Sequence, residues 1–395
     1  MIGNVVKNPS GNINLGPITA NGNYNFDVGR YKTASVAVTV EQPHIYGVTW
    51  SGGSSPVLTR TDDAAGFIDP NPYYAGMATT PSSPFDGLMP WAGIRRVTDA
   101  TAGELVEIPK FWYKWTRSGN AMQLQIADKA KAGFFVSPAH ADRGDGVGER
   151  DYVYVGRYHC ASDYKSKTGV SPTRGASRSS YRTSIHNLGS NVWQWDYAMY
   201  WTVAMLYLVE FAHWNSQLKI GYGGSTSASF TTEGQTDNIP YHTGTTTSSR
   251  SSYGYTEYRY IEGLWSNVFD FIDGLYFSGS TIYAIKNPAN FSDSSGGTNV
   301  GTRVTSSGYI KSWTTVNASG FEYAIFPKTV DDTLSGSTYC CDLAQYQSGG
   351  TVLLHGGYIA QNLNIGLFCL FHNISSGDQN VGTRLMVLPP SRLSV

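Results

Sequence analysis

The sequence is poor in charge. Asp, Glu, Lys and Arg make up 14% of its 395 residues, against about 25% in ordinary globular proteins. Lysine plus arginine (28) nearly cancel aspartate plus glutamate (29), leaving a formal net charge of −1. With no block of Lys or Arg, the chain has no electrostatic footprint for nucleic acid. Cysteine is scarce: Cys160, Cys340, Cys341 and Cys369. None stands in C-x-x-C spacing and two are adjacent, so neither a zinc framework nor a disulfide scaffold is expected, and the four read as buried thiols. Long hydrophobic runs are missing. The most apolar stretch, Tyr197–Val209, is 13 residues with only Thr202 polar, and a bilayer takes about 20. It reads as a core helix, with no membrane insertion. The opening MIGNVVKNPSGN lacks the apolar centre of a signal peptide. Neither G-x-S-x-G nor H-E-x-x-H occurs.

What is abundant is aromatic and small polar. Aromatics reach 13%, there are 44 glycines, and hydrophobic residues total 41%. That argues against disorder and suits a rigid, loop-rich protein with polar and aromatic contact surfaces. Residues 1–45 read as a small β-module, because NINLGPI, NYNFDVG and ASVAVTVEQ are short strand-like runs between Gly and Asn turns. Pro-, Gly- and aromatic-rich loops follow from residue 46. ELVEIPKFWYKWTR then alternates as a strand does, offering Val106, Ile108, Phe111, Tyr113 and Trp115 to a core or interface, with Pro109 marking an edge or bulge. AMQLQIA and YVYVGRYHCAS are also strand-like. Two helices are expected: Ala176–Leu188, closed by Gly189, and one from an Asp196 N-cap to about Ser216. The second is apolar nearly all round and must be covered on most sides. Residues 222–256, rich in Gly, Ser and Thr, read as an insertion, and short strands follow to the end. The fold class expected is α+β, with consecutive helices segregated from an antiparallel sheet.

Three motifs have functional and structural readings. Glu210 and His213 lie three apart on one helix face. They could act as an acid/base pair, but no nucleophile motif accompanies them, and local hydrogen bonding is the expected role. Asp142, Asp145, Glu149 and Asp151 sit among glycines, where calcium could be held. The EF-hand spacing is absent, so solvated turns are expected, and the Arg-Gly-Asp at 143–145 reads as chance. The pentapeptide Asn-Val-Gly-Thr-Arg occurs at 299–303 and 380–384 and reads as recurring turn-to-strand chemistry. The C-terminal GGYIAQNLNIGLFCLFHNISSGDQNVGTRL poses a puzzle: Tyr358, Leu363, Phe371, His372 and Ile374 are bulky residues among Gly, Asn and Ser, where loops are expected.

WSNVFDFIDG, the two helices before it and the closing GLFCL…NVGTRL resemble the C-type-lectin fold of the formylglycine-generating-enzyme type. Its G-N-V-W-E-W-like stretch corresponds to Ser266-Asn267-Val268-Phe269-Asp270-Phe271. Within that group the chain looks most like phage tail proteins and the variable proteins of diversity-generating retroelements, at YGVTWSGG, SSPFDGLMPW with VEIPKFWYKW, LYLVEFAHWNSQ, YRYIEGLWSNVFDFIDG and GGYIAQNLNIGLFCL, over about residues 46–390. The opening module is similar to one common in phage structural proteins. The resemblance implies a C-type-lectin-like ligand-binding domain over 46–395, preceded by a β-module at 1–45 for attachment or oligomerisation. It also implies a framework of Gly356, Gly357, Gly366, Leu367, Phe368, Leu370, Gly382, Arg384 and Leu385. Between these lie the candidate ligand-binding positions: Tyr358, Ala360, Gln361, Leu363, Asn364, Phe371, His372, Asn373 and Ile374.

The expected protein is a phage tail receptor-binding protein of the virion, assembled in the bacterial cytoplasm. It would bind a host cell-surface protein or glycan, contact other tail proteins and form a homotrimer, with no catalytic residue, metal or cofactor. Two rivals accompany it. One is a structural tail or baseplate component. The other is an oxidase of the formylglycine-generating type, whose reactive cysteine pair Cys340 and Cys341 do not match.

Overall fold

The computed structural model describes residues 42–224, 230–314, 318–358 and 365–393 in full. Of residues 1–41 it describes the backbone of four strands, Val6–Lys7, Ile13–Asn14, Gly22–Asp27 and Thr33–Val38. The chain forms two compact units, Met1–His44 and Ile45–Val395. In the first, Gly22–Asp27 and Thr33–Val38 pair antiparallel, with Tyr24 opposite Val36. The described residues are mostly β-sheet, with three α-helices between residues 178 and 219.

Two five-stranded sheets organise the first half of the larger unit. ELVEIPKFWYKWTR serves both. Gly103–Pro109 lies in one sheet beside Tyr152–Gly156, and Trp112–Ser118 lies in the other, beside Ala121–Ala127. Pro109 ends the first strand, where a missing N–H costs no ladder bond. Val106, Ile108, Phe111 and Tyr113 are all buried, and Trp115 packs half-buried at the core margin.

The first helix, α1, spans Arg178–His186. The Ser177 side chain caps it by accepting from the Ser180 N–H. It stops two residues short of the expected end, and Gly189 does not act as a left-handed cap: the Asn187 and Gly189 amides turn back onto Thr183 and His186. The second, α2, spans Tyr197–Phe211, with the Asp196 carboxylate accepting from Met199 N–H at 2.8 Å. All 15 of its residues are buried, as an all-round apolar helix requires. It ends before the expected Ser216 because Ala212 adopts φ +49°, which breaks the helical run. The short α3, Ser216–Lys219, follows.

The C-terminal half is built on a seven-stranded sheet in the order Pro327–Asp331, Gly308–Trp313, Leu343–Gln345, Leu370–Asn373, Val352–His355, Phe269–Ile272, Val381–Thr383. Alternation sorts its side chains. Leu353, Leu370 and Ile272 join the large core around α2. Val352, Leu354, Phe269, Phe271 and Phe371 join a second core with Tyr181 and Ile185 of α1. All four cysteines are free and buried, and burial pushes their thiols above the ordinary range. No helix among the described residues is long and apolar enough to cross a membrane.

The NVGTR copies do the same work twice. Each forms a strand whose arginine turns inward to backbone carbonyls. Arg303 donates to Gly279 O and Gly350 O. Arg384 donates to Gly156 O, Arg157 O and Glu262 O.

Candidate functional site

The nine C-terminal positions singled out by sequence separate into three groups. Ala360, Gln361, Leu363 and Asn364 lie outside the described residues. Phe371 and His372 are not loop residues: they belong to the strand Leu370–Asn373, paired with Leu354 and Leu353. Phe371 is 8% exposed and packs on Phe269, with ring centroids 4.7 Å apart. His372 is 4% exposed and packs on Phe277 at 4.6 Å. Both expectations of loop display are corrected. The flanking glycines and asparagines suggested a turn, whereas pairing on both sides makes a central strand. Tyr358, Asn373 and Ile374 remain at the surface, the first two half-buried and Ile374 43% exposed, although Asn373 too is a strand residue and not a loop one, opposite Val352. Tyr358 lies beside Phe269, at 5.7 Å between centroids.

The framework positions contrast with these. Gly356, Gly357, Gly366, Leu367, Phe368, Leu370, Gly382, Arg384 and Leu385 are all buried. Gly356 has φ +85°, and a Cβ there would press into the carbonyl oxygen of Leu264. Gly366 sits against the Asp342 carboxylate, which accepts from the Phe368 N–H at 2.7 Å. The framework/surface division makes a prediction. Gly356→Ala lowers the unfolding free energy by more than about 1 kcal/mol, whereas Ile374→Ala changes it by less than about 0.5 kcal/mol. Denaturant titration of both variants checks it.

A pocket of about 240 Å³ opens beside Asn373. Phe269, Leu354, Phe371 and Val381 give it an apolar floor, and Gln345, Gln347, Asn373 and Asn380 bring amides to its rim. His372 borders the pocket, and its imidazole packs on Phe277 on the opposite face of the strand from Phe371. Burial and the Arg303 charge push that imidazole down to about 3, so it is neutral at physiological pH.

Beneath this face lies a buried charged network that the sequence did not single out as a unit. His159, fully buried, stands 3.0 Å from Glu233 through Nδ1 and 3.5 Å from Asp270 through Nε2. Burial alone would lower its pKa, but the two carboxylates outweigh burial and hold it at about 9. Asp270 is kept below the ordinary carboxylate range: burial opposes ionisation, and His159 and Arg384 overcome it. The Asn267 amide donates to Glu233 at 2.7 Å. Next door, burial raises Glu257 to about 8 against the Arg157 charge. The S-N-V-F-D stretch thus supplies Asn267 and Asp270 to an internal scaffold.

The other candidates resolve structurally. Glu210 does not meet His213; it accepts from Ser83 Oγ at 2.7 Å, Tyr258 OH at 3.0 Å and Arg259 Nε at 3.1 Å. His213 instead lines a separate cleft of about 540 Å³ with Asn215 and Tyr222, and accepts from the Asn215 N–H. The glycine-rich carboxylates form turns and ion pairs, Asp142 accepting from Gly144 N–H and Asp151 pairing with Lys110 at 2.7 Å. Arg143 of the Arg-Gly-Asp is 2% exposed and paired with Asp196. Among the described residues no group of three His, Cys, Asp or Glu side chains is placed to hold a metal ion.

In comparisons with known proteins, no family model and no curated sequence matches the chain.

Proposed function

We propose that the chain is a phage tail receptor-binding protein with a C-type-lectin-like domain of the formylglycine-generating type, whose C-terminal surface binds a molecule on the host cell. One observation carries the reading: every framework position named from the sequence is buried, while Tyr358, Asn373 and Ile374 between them reach the surface. A scaffold locked from beneath can carry a changeable rim, because rim substitutions leave its packing alone. The site is narrower than the sequence suggested. Phe371 and His372 support it from within the sheet, and contact falls to Tyr358, Asn373, Ile374 and the pocket beside them. On this reading the binding step involves recognition without chemistry. Many copies on one particle, as trimers, add avidity to a weak single contact. The N-terminal unit serves attachment.

The test uses the fluorescently labelled full chain and a panel of bacteria that differ in surface composition. Saturable binding to some strains and not others is expected. Absence of saturable binding to every strain on which the phage grows contradicts the proposal.

A further inference from the structure

Resting on the receptor-binding reading, we propose that the pocket beside Asn373 takes one ring of a neutral sugar. Its volume, about 240 Å³, is below the roughly 300–1,000 Å³ of pockets for drug-sized ligands, which suits a ligand of about a single ring. The chemistry of the rim is amide. Gln345 and Gln347 are exposed, and with Asn373 and Asn380 they surround the opening. A primary amide offers two donors and an acceptor, and a hydroxyl both donates and accepts, so neighbouring amides match neighbouring hydroxyls. The Asn373 carbonyl is occupied by the Ile374 N–H at 2.7 Å, leaving its NH₂ to donate. The apolar floor of Phe269 and Phe371 suits the C–H face of a pyranose.

Charge selects against acidic sugars. Among the described residues Asp378 is the only charged side chain lining the pocket, and its carboxylate accepts from the Asn380 N–H at 2.7 Å. The nearby Arg303 is spent on the Gly279 and Gly350 carbonyls and lies over the Tyr346 ring. A carboxylate or phosphate on the ligand would meet repulsion and, among the described residues, no free cation.

The full chain is titrated with the methyl glycosides of glucose, galactose, mannose and N-acetylglucosamine, and with N-acetylneuraminic acid, by saturation-transfer NMR and calorimetry. At least one neutral sugar is expected to bind with Kd on the order of 1 mM, and the acidic sugar is not. The Gln345→Ala/Gln347→Ala double variant removes rim groups outside the core and weakens binding at least tenfold with an unchanged melting curve. Asn380→Asp, which adds a second carboxylate at the same size, weakens it as well. Failure of every neutral sugar to bind, equal binding of the acidic one, or binding indifferent to the double variant overturns the assignment. A chain that adsorbs to cells yet binds none of the sugars removes the pocket assignment and leaves the receptor reading. Sugar binding without adsorption does the reverse.

Discussion

Replacing Arg384 with methionine costs about 3–5 kcal/mol of folding free energy, the usual penalty for removing one partner of a buried charged set. Arg384 is fully buried. Its guanidinium donates to Gly156 O and Arg157 O at 2.8 Å each and to Glu262 O at 2.7 Å, and its Nε lies 3.7 Å from Asp270. Methionine fills much of the volume but returns none of these bonds, so three buried carbonyls lose a donor and Asp270 loses a cation. The carbonyls belong to segments more than 100 residues apart, so the loss spreads across the fold. Lys167→Met is the control, because Lys167 pairs with Asp163 where both side chains are 44% exposed and solvent screens the pair. Denaturant unfolding followed by tryptophan fluorescence should show a large midpoint shift for the first variant and almost none for the second.

The second large effect is on the pH dependence of stability, expected to peak at about pH 6–6.5 and to fall on both sides. Above the peak three groups act together. His159 titrates at about 9 when folded and near 6.5 when unfolded; its contribution is complete below 6.5 and disappears as pH rises through 9. Glu257 and Asp342 are both raised to about 8 by burial. The unfolded chain ionises them more readily, so stability drains away between their ordinary range and about 8. Below the peak the histidines reverse the slope. Burial pushes His140 and His372 down to about 3, and His355 and His213 down to about 4. The unfolded chain binds protons there that the folded one refuses, so stability is lost as pH falls below 6.5. His159→Gln flattens the alkaline side by up to about 3 kcal/mol, the equivalent of a shift from 6.5 to 9. Unfolding free energies across pH 4 to 9 for the parent and the variant provide the check; an alkaline limb identical in both contradicts the assignment.

Much of the larger unit's secondary structure could be read from pattern. The alternation in ELVEIPKFWYKWTR and AMQLQIA, the Asp196 cap and the all-apolar Tyr197–Val209 helix each arise from local rules, and each stands in the structure. Helix ends were harder, because the stop at Ala212 depends on a left-handed residue that nothing in its side chain announces. The site was harder still. Phe371 and His372 sit beside Asn373, Ser375 and Gly377, composition that signals a turn. Their burial comes from the strands Val352–His355 and Leu343–Gln345 closing on both sides. Long-range pairing of that kind has no local signature. The network of His159, Glu233, Asp270 and Arg384 was invisible for the same reason, since its members are dispersed over more than 220 positions of sequence. Asp270 of S-N-V-F-D and Arg384 of the second NVGTR are its members that lie in recognisable motifs, and the carbonyls that Arg384 meets come from segments remote in sequence.

The proposed receptor binding needs a buried framework that holds a surface patch open to a host molecule. Cell adsorption of the triple variant Tyr358→Ala/Asn373→Ala/Ile374→Ala, measured beside the parent chain at matched concentration, tests it most directly. Adsorption is expected to fall at least tenfold while the variant keeps the parent's far-UV circular dichroism spectrum. Undiminished adsorption by the triple variant would contradict it, because the binding surface would then lie elsewhere on the molecule.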